Sequence, residues 1–122
     1  MIEAVNLAQK LALFQEHWSP KVVGELNDNY LKVVKLKGDF VWHKHDDADE
    51  LFLVLQGRLV IHLRDQDIML NEGEFVVIPK GVEHQPFAAD EVHALLIEPK
   101  TVVNTGDASD ARMIAPDELS HI

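Results

Sequence analysis

From residue 21 to residue 98 the apolar residues come in short runs rich in Val, Ile, Leu and Phe, each ended by a cluster of Gly, Asn or Asp. That alternation is the pattern of strands joined by tight turns. It predicts strands over residues 21–26, 30–36, 40–44, 50–56, 58–64, 67–70, 74–79, 83–87 and 92–98. Turn signals lie between them, including Asn27-Asp28-Asn29, Gln56-Gly57, Asn71-Glu72-Gly73, Lys80-Gly81 and Ala89-Asp90-Glu91. Many short strands at a spacing of about 8–12 residues imply an all-β sandwich or barrel.

The two ends read differently. Leu7, Leu11 and Phe14 follow helical spacing, with Asn6 and Gln9 placed as a capping pair and Ser19-Pro20 as a stop. Such a stripe serves either a dimerisation helix or a helix packed on its own domain. Beyond Pro99 the pattern fades into a polar stretch over residues 101–110, and Pro116-Asp117-Glu118-Leu119 opens one short helical turn. The expected organisation is a helical segment over 1–19, a β-barrel over 20–99, and an irregular tail over 100–122 that packs on the barrel or on a partner.

Composition narrows the functional classes. The chain has 122 residues, 47% of them apolar and 26% charged, which suits one globular domain. It has no cysteine, so disulfides, thiolate metal sites and a cysteine nucleophile are excluded. A net charge of −10 opposes binding to nucleic acid or to an acidic membrane surface. No window approaches the ~20 apolar residues of a membrane span. The first residues lack a basic segment and a small-residue cleavage site before Pro20, so no secretion signal and a cytoplasmic location are expected. Ser19, Ser109 and Ser120 lie outside the expected strands, which argues against a serine hydrolase.

The chemistry concentrates in His43-Lys44-His45, Glu50 and His84. On a strand, residues two apart share a face, so His43 and His45 point together while Trp42 and Lys44 point away. Glu50 begins the next expected strand across the acidic bend Asp46-Asp47-Ala48-Asp49, and His84 follows the turn at Pro79-Lys80-Gly81. Three imidazoles and one carboxylate form a ligand set for a divalent transition metal and leave two of six positions open. Taken singly, a histidine on a half-buried strand is more often packed than ligating, and His17, His62, His93 and His121 are read so. His62 and His93 lie in expected strands and could face the barrel interior. The acidic run has three readings: a solvated bend, carboxylates that orient a ligating histidine, or a surface for a cationic substrate. Lys44, Arg58, Arg64 and Lys80 are read mainly as solvated surface charges.

These residues resemble the two motifs of the cupin superfamily. The first is similar to Gly38, His43-x-His45, four residues, Glu50, six residues and Gly57; the second to Gly73, five residues, Pro79-x-Gly81, two residues and His84. Two details depart from the family: four residues rather than five separate Gly38 from His43, and Ala88 stands where asparagine is frequent. The resemblance implies a double-stranded β-helix, or jelly-roll barrel, with His43, His45, Glu50 and His84 holding one divalent ion per chain (Zn, Fe, Mn or Ni). It further implies a homodimer. Within the superfamily the chain looks most like small single-domain proteins described as similar to mannose-6-phosphate isomerase. The implied function is a metal-dependent isomerase or dioxygenase of a small organic or sugar-like substrate, with Glu50 catalytic; the alternative is a non-catalytic cupin that binds or senses a small ligand.

Overall fold

The computed structural model describes residues 2–122. In chain order its elements are α1 (Leu7–Leu11), β1 (Lys21–Leu26), β2 (Asn29–Asp39), β3 (Glu50–Gln56), β4 (Leu59–Leu63), β5 (Asp67–Leu70), β6 (Phe75–Ile78), β7 (His84–Pro99), a single 3-10 turn at Pro116–Glu118, and β8 (Ser120–His121). Side chains alternate across a strand, and burial follows: in β3, Glu50, Phe52 and Val54 are buried while their neighbours are half-exposed. The same alternation runs through β7.

β7 is the spine of the sheet. It pairs antiparallel with β2 through most of its length, with β4 through its first half and with β3 through its second half. β1 and then β8 extend the sheet beyond β2, β5 extends it beyond β4, and β6 pairs with β3. The inward faces enclose one core that includes Val34, Leu36, Phe52, Val54, Leu59, Ile61, Ala94 and Leu96. Trp18 stacks on Phe40 at 4.7 Å between ring centroids and caps one end of that core.

The mostly β architecture with one short helix matches the expected jelly-roll β-barrel, but its sheet is not closed into a ring: the strand path ends at β5 and β8, with β6 attached only to β3. Three local expectations are corrected. Residues 40–44, expected as a strand, are joined to β7 by a single bridge, His43 with His84. The Phe40 N–H donates to the Pro86 carbonyl, and proline has no N–H to return. The Gln85 side chain binds the Phe40 carbonyl instead. Secondly, Ala89-Asp90-Glu91 is no turn. Leu36 faces Val92 and Gly38 faces Ala88, so these three residues oppose Lys37 alone and bulge within one continuous strand.

The helix is also shorter than its apolar stripe. Asn6 caps it, accepting from the Gln9 N–H at 3.0 Å. Beyond Leu11 the backbone is claimed by β2: the Lys35 ammonium donates to the Phe14 carbonyl, and the Trp18 N–H donates to the Lys35 carbonyl. Leu11 and Phe14 pack with Val33 on their own chain. At the tail, the 3-10 turn falls where Pro116 predicts it, whereas the parallel pairing of β8 with β1 had no signal in the sequence.

Two outcomes follow from this packing. Leu59 is fully buried, and Leu59→Ala should destabilise the protein by about 2–5 kcal/mol in chemical denaturation. The N-terminal segment is pinned by His17, which with His93 donates to the two oxygens of Glu91 at 2.7 and 2.8 Å. The hydrogen bonds from His17 and then His93 lower the Glu91 carboxyl from 4.5 to about 2. A carboxyl depressed on folding stabilises above its unfolded value and loses that contribution as pH falls toward the folded one. The protection of the amides over residues 7–18, relative to intrinsic exchange at each pH, should therefore fall on acidification from 4.5 toward 2. In Glu91→Gln that protection should be low already at neutral pH and flatter across the window.

Candidate metal centre

Two reciprocal backbone hydrogen bonds bring the distant histidines together. The His43 N–H donates to the His84 carbonyl at 3.0 Å, and the His84 N–H to the His43 carbonyl at 2.9 Å. A third, from the Gly81 N–H to the His45 carbonyl at 2.8 Å, holds the next turn of chain against the same segment. Glu50 opens β3 opposite Ile78 of β6, which turns its carboxyl inward. All four side chains are buried, and one ligand atom from each lies within 4.8 Å of the others.

The donor set fits a metal ion. The Nδ1 atoms of His43 and His84 stand 2.8 and 2.9 Å from the carbonyls of Val41 and Val82. A carbonyl only accepts, so each Nδ1 carries a proton; in the neutral ring Nε2 then keeps the lone pair, which is how ligating histidines are oriented. Glu50 Oε1 lies 3.3 Å from His45 Nε2 and 3.4 Å from His84 Nε2. Ligands about 2.1 Å from a common ion stand about 3.0–3.5 Å apart. These three atoms are buried without a hydrogen-bond partner among the described residues. Unpartnered buried polar atoms cost about 1–3 kcal/mol each, and here they converge.

The charge states agree. Burial, reinforced by the neighbouring His84, lowers His43 from 6.5 to about 4, so it is a neutral imidazole at physiological pH. Burial pushes the Glu50 carboxyl up, but its contacts with His45 and His84 outweigh this and hold it well below the ordinary value. Neutral imidazoles and an ionised carboxylate are the forms that bind a metal.

His62 and His93 do not join the cluster. His62 binds Asp67 at 2.6 Å and His93 binds Glu91, both at the surface. The acidic run is a solvated bend: Asp46 pairs with Lys44, and Asp49 accepts from the Lys80 N–H. Histidine orientation, one of the roles considered for those carboxylates, falls at His43 and His84 to backbone carbonyls. Arg58, Arg64 and Lys80 are exposed, as read, and Arg64 pairs with Glu83 while lying 3.9 Å over the Trp42 ring.

Sequence reasoning missed the walls around the cluster. A cavity of about 30 Å³ adjoins His43 and Glu50, bounded by Trp18, Phe40, Phe52, Leu96, Glu98 and Asn104 among others. Asn104 belongs to the tail, which the sequence marks only as packing on the barrel or on a partner. Its neighbour Thr105 is fully buried, and Asp107 accepts from the Lys44 N–H at 2.9 Å. Gly106 has φ +56°, and a Cβ there would overlap the Lys44 carbonyl and meet His43 Cδ2 at 3.0 Å. The other omission is Lys32 with Glu98, two buried charges paired at 2.7 Å. Strand parity held that signal, since Lys32 shares a face with Val34 and Leu36.

Gly106→Ala should push the tail off the ligand-bearing segment. Limited proteolysis should then cut within residues 101–110, and the Lys44 amide, now bound to Asp107, should exchange faster. Unchanged protection of both would show that the tail does not wall the site.

Comparison with known proteins agrees with this geometry. The family described as Cupin domain matches residues 31–98. Among solved structures, a cupin-2 domain containing protein from Shewanella frigidimarina NCIMB 400 superposes with a TM-score of 0.77 at 53% identity, over 78% of this chain and 93% of that one. Protein NMB1881 from Neisseria meningitidis gives a TM-score of 0.74 at 33% identity, over 80% and 99%. An uncharacterized protein, YdbB, of Bacillus subtilis (strain 168) is 38% identical over 64 residues, 52% of this chain and 57% of YdbB. The match thus spans little more than half of that relative. With the family matched over more than half of its length and its candidate ligand residues gathered in one buried cluster, this chain belongs to the cupins.

Proposed function

We propose that the protein binds one divalent transition metal through His43, His45, Glu50 and His84 and uses it as an enzyme on a small organic or sugar-like substrate, by isomerisation or oxygenation. The observation that carries this is the convergence of four buried ligand atoms within 4.8 Å, three of them without a hydrogen-bond partner among the described residues. Such an ion supplies Lewis acidity toward a substrate oxygen or activates bound water or dioxygen.

The chain's own residues define the rest of the role. Trp18, Phe40, Phe52 and Leu96 wall the cavity with apolar surface and exclude bulk water. Of the two carboxyls lining it, Glu50 is held low while burial, with Glu50's own charge, pushes Glu98 well up. Glu50 is therefore the group to take a proton from a substrate C–H or O–H onto a carboxylate oxygen, and is the catalytic residue in this reading. For a phosphorylated sugar, suggested by the likeness to mannose-6-phosphate isomerase-like cupins, two of the nearby cations are already engaged: Lys44 pairs with Asp46 and Arg64 with Glu83. A cytoplasmic homodimer completes the proposal, with exposed Phe75 and Val77 on β6 as apolar surface for a second copy to cover.

One observation favours a second reading. The cavity, at about 30 Å³, is far smaller than the roughly 300–1,000 Å³ of ordinary ligand sites, which suits a binder of a very small molecule.

Elemental analysis of protein purified without added metal or chelator should find close to one transition-metal ion per chain, and far less in His84→Ala. Free metal at about 100-fold above Kd should stabilise the wild type by about 2.7 kcal/mol and the variant by much less. Turnover of a candidate substrate that is lost in Glu50→Gln, with folding intact, would establish the enzyme. Metal and ligand binding without turnover would leave the binder.

A further inference from the structure

A buried ion pair beside the cluster is unexplained by metal ligation. Lys32 on β2 and Glu98 on β7 are 1% and 2% exposed, and the Lys32 ammonium donates to Glu98 Oε1 at 2.7 Å. The pairing of Leu51 with Ile97 places Glu50 and Glu98 side by side, one step further along the same register. Facing residues on adjacent strands have Cβ atoms about 5 Å apart. Glu98 thus stands next to a ligand carboxylate, and both line the cavity that also borders His43.

A buried ion pair is often no more stabilising than apolar residues of the same size. This one is incomplete as well, because Glu98 Oε2 is buried without a hydrogen-bond partner among the described residues. An oxygen so placed calls for a group that enters the cavity. Of the remaining walls only Trp18 and Asn104 carry polar side-chain groups, and both are engaged: the indole N–H donates to the Lys37 carbonyl, and the Asn104 amide donates to the Arg112 carbonyl and accepts from the Ile114 N–H. Polar recognition at this end of the cavity falls to Glu98.

We infer that Glu98 is a ligand-positioning residue of the site, and that the site selects compact hydroxylated compounds: one oxygen meets the metal beside Glu50, and an adjacent hydroxyl meets Glu98 Oε2. A hydroxyl both donates and accepts, so it satisfies that oxygen in either protonation state of the acid. Lys32 holds the other oxygen and fixes the carboxyl plane. The small volume and apolar walls limit the rest of the molecule to a few carbon atoms. This inference rests on the metal reading above, and it adds the class of ligand.

The test replaces both charges at once, because removing one would strand the other in the core. In Lys32→Met/Glu98→Leu the four metal ligands are intact and the pair becomes apolar, a change that buried pairs tolerate well. Wild type and double variant are loaded with Co(II) and titrated with glycolate and with acetate, which lacks the hydroxyl, following the visible absorption of the metal. Both proteins should bind one Co(II) per chain. The ratio of glycolate to acetate affinity should be lower in the double variant by about tenfold or more, the worth of one hydrogen bond to a charged group. Chelation of the ion by glycolate alone would contribute equally in both proteins. An unchanged ratio in a folded, metal-loaded double variant overturns the role of Glu98 while leaving the metal reading intact. Failure of the wild type to load Co(II) overturns the metal reading itself. A double variant that unfolds is replaced by Lys32→Met/Glu98→Met, which also removes both charges and should lower the ratio likewise; an unchanged ratio there counts against the role equally.

Discussion

The pair of backbone hydrogen bonds between His43 and His84 is the constraint from which the site follows. Residues 40–45 make no regular strand, so this bridge, with single bonds at Phe40 and His45, fixes where His43 and His45 stand relative to β7. Once that bridge forms, strand parity carries His45 inward beside His43, and the pairing of β3 with β7 brings Glu50 to the same face. The carbonyls of Val41 and Val82, each two residues before the histidine it binds, then hold the rings with Nε2 toward the common point. The chain uses its backbone where many metal sites use a second carboxylate.

Energetically the interior divides in two. Val54, Leu59, Ile61, Val92 and Ala94 are fully buried and carry the hydrophobic stabilisation. At one end of this core stand three imidazoles, two carboxyls and a lysine, several of whose polar atoms have no partner among the described residues. That is a destabilising arrangement, which a cation bound among these atoms would relieve. The proposed metal binding would therefore also stabilise the fold, and the tail at Thr105 and Gly106 closes over the same end.

Much of this was legible in the sequence because period-two alternation and turn residues act locally. The bounds of β1, β3 and β5 match their apolar runs, and the spacing of His43 and His45 put both on one face. What escaped depended on partners far along the chain. Pro86 withholds an N–H from Phe40, so a segment with strand composition fails to become one. Ala89-Asp90-Glu91 has turn composition but bulges within a strand because β2 supplies only Lys37 opposite. Lys32 was passed over as an ordinary lysine, although its parity with Val34 and Leu36 marked it as inward-facing. Nothing local in residues 101–110 announces a wall of the site. Gly106 matters because of Lys44 and His43, sixty residues earlier in the chain.

The most direct test is anomalous diffraction from crystals of protein purified without chelator, collected at the absorption edge of whichever metal elemental analysis identifies. The account predicts one peak per chain, about 2.0–2.2 Å from the Nε2 atoms of His43, His45 and His84 and from a Glu50 oxygen. A well-ordered map with these four side chains gathered but no peak between them, or with the peak held by other residues, would contradict it.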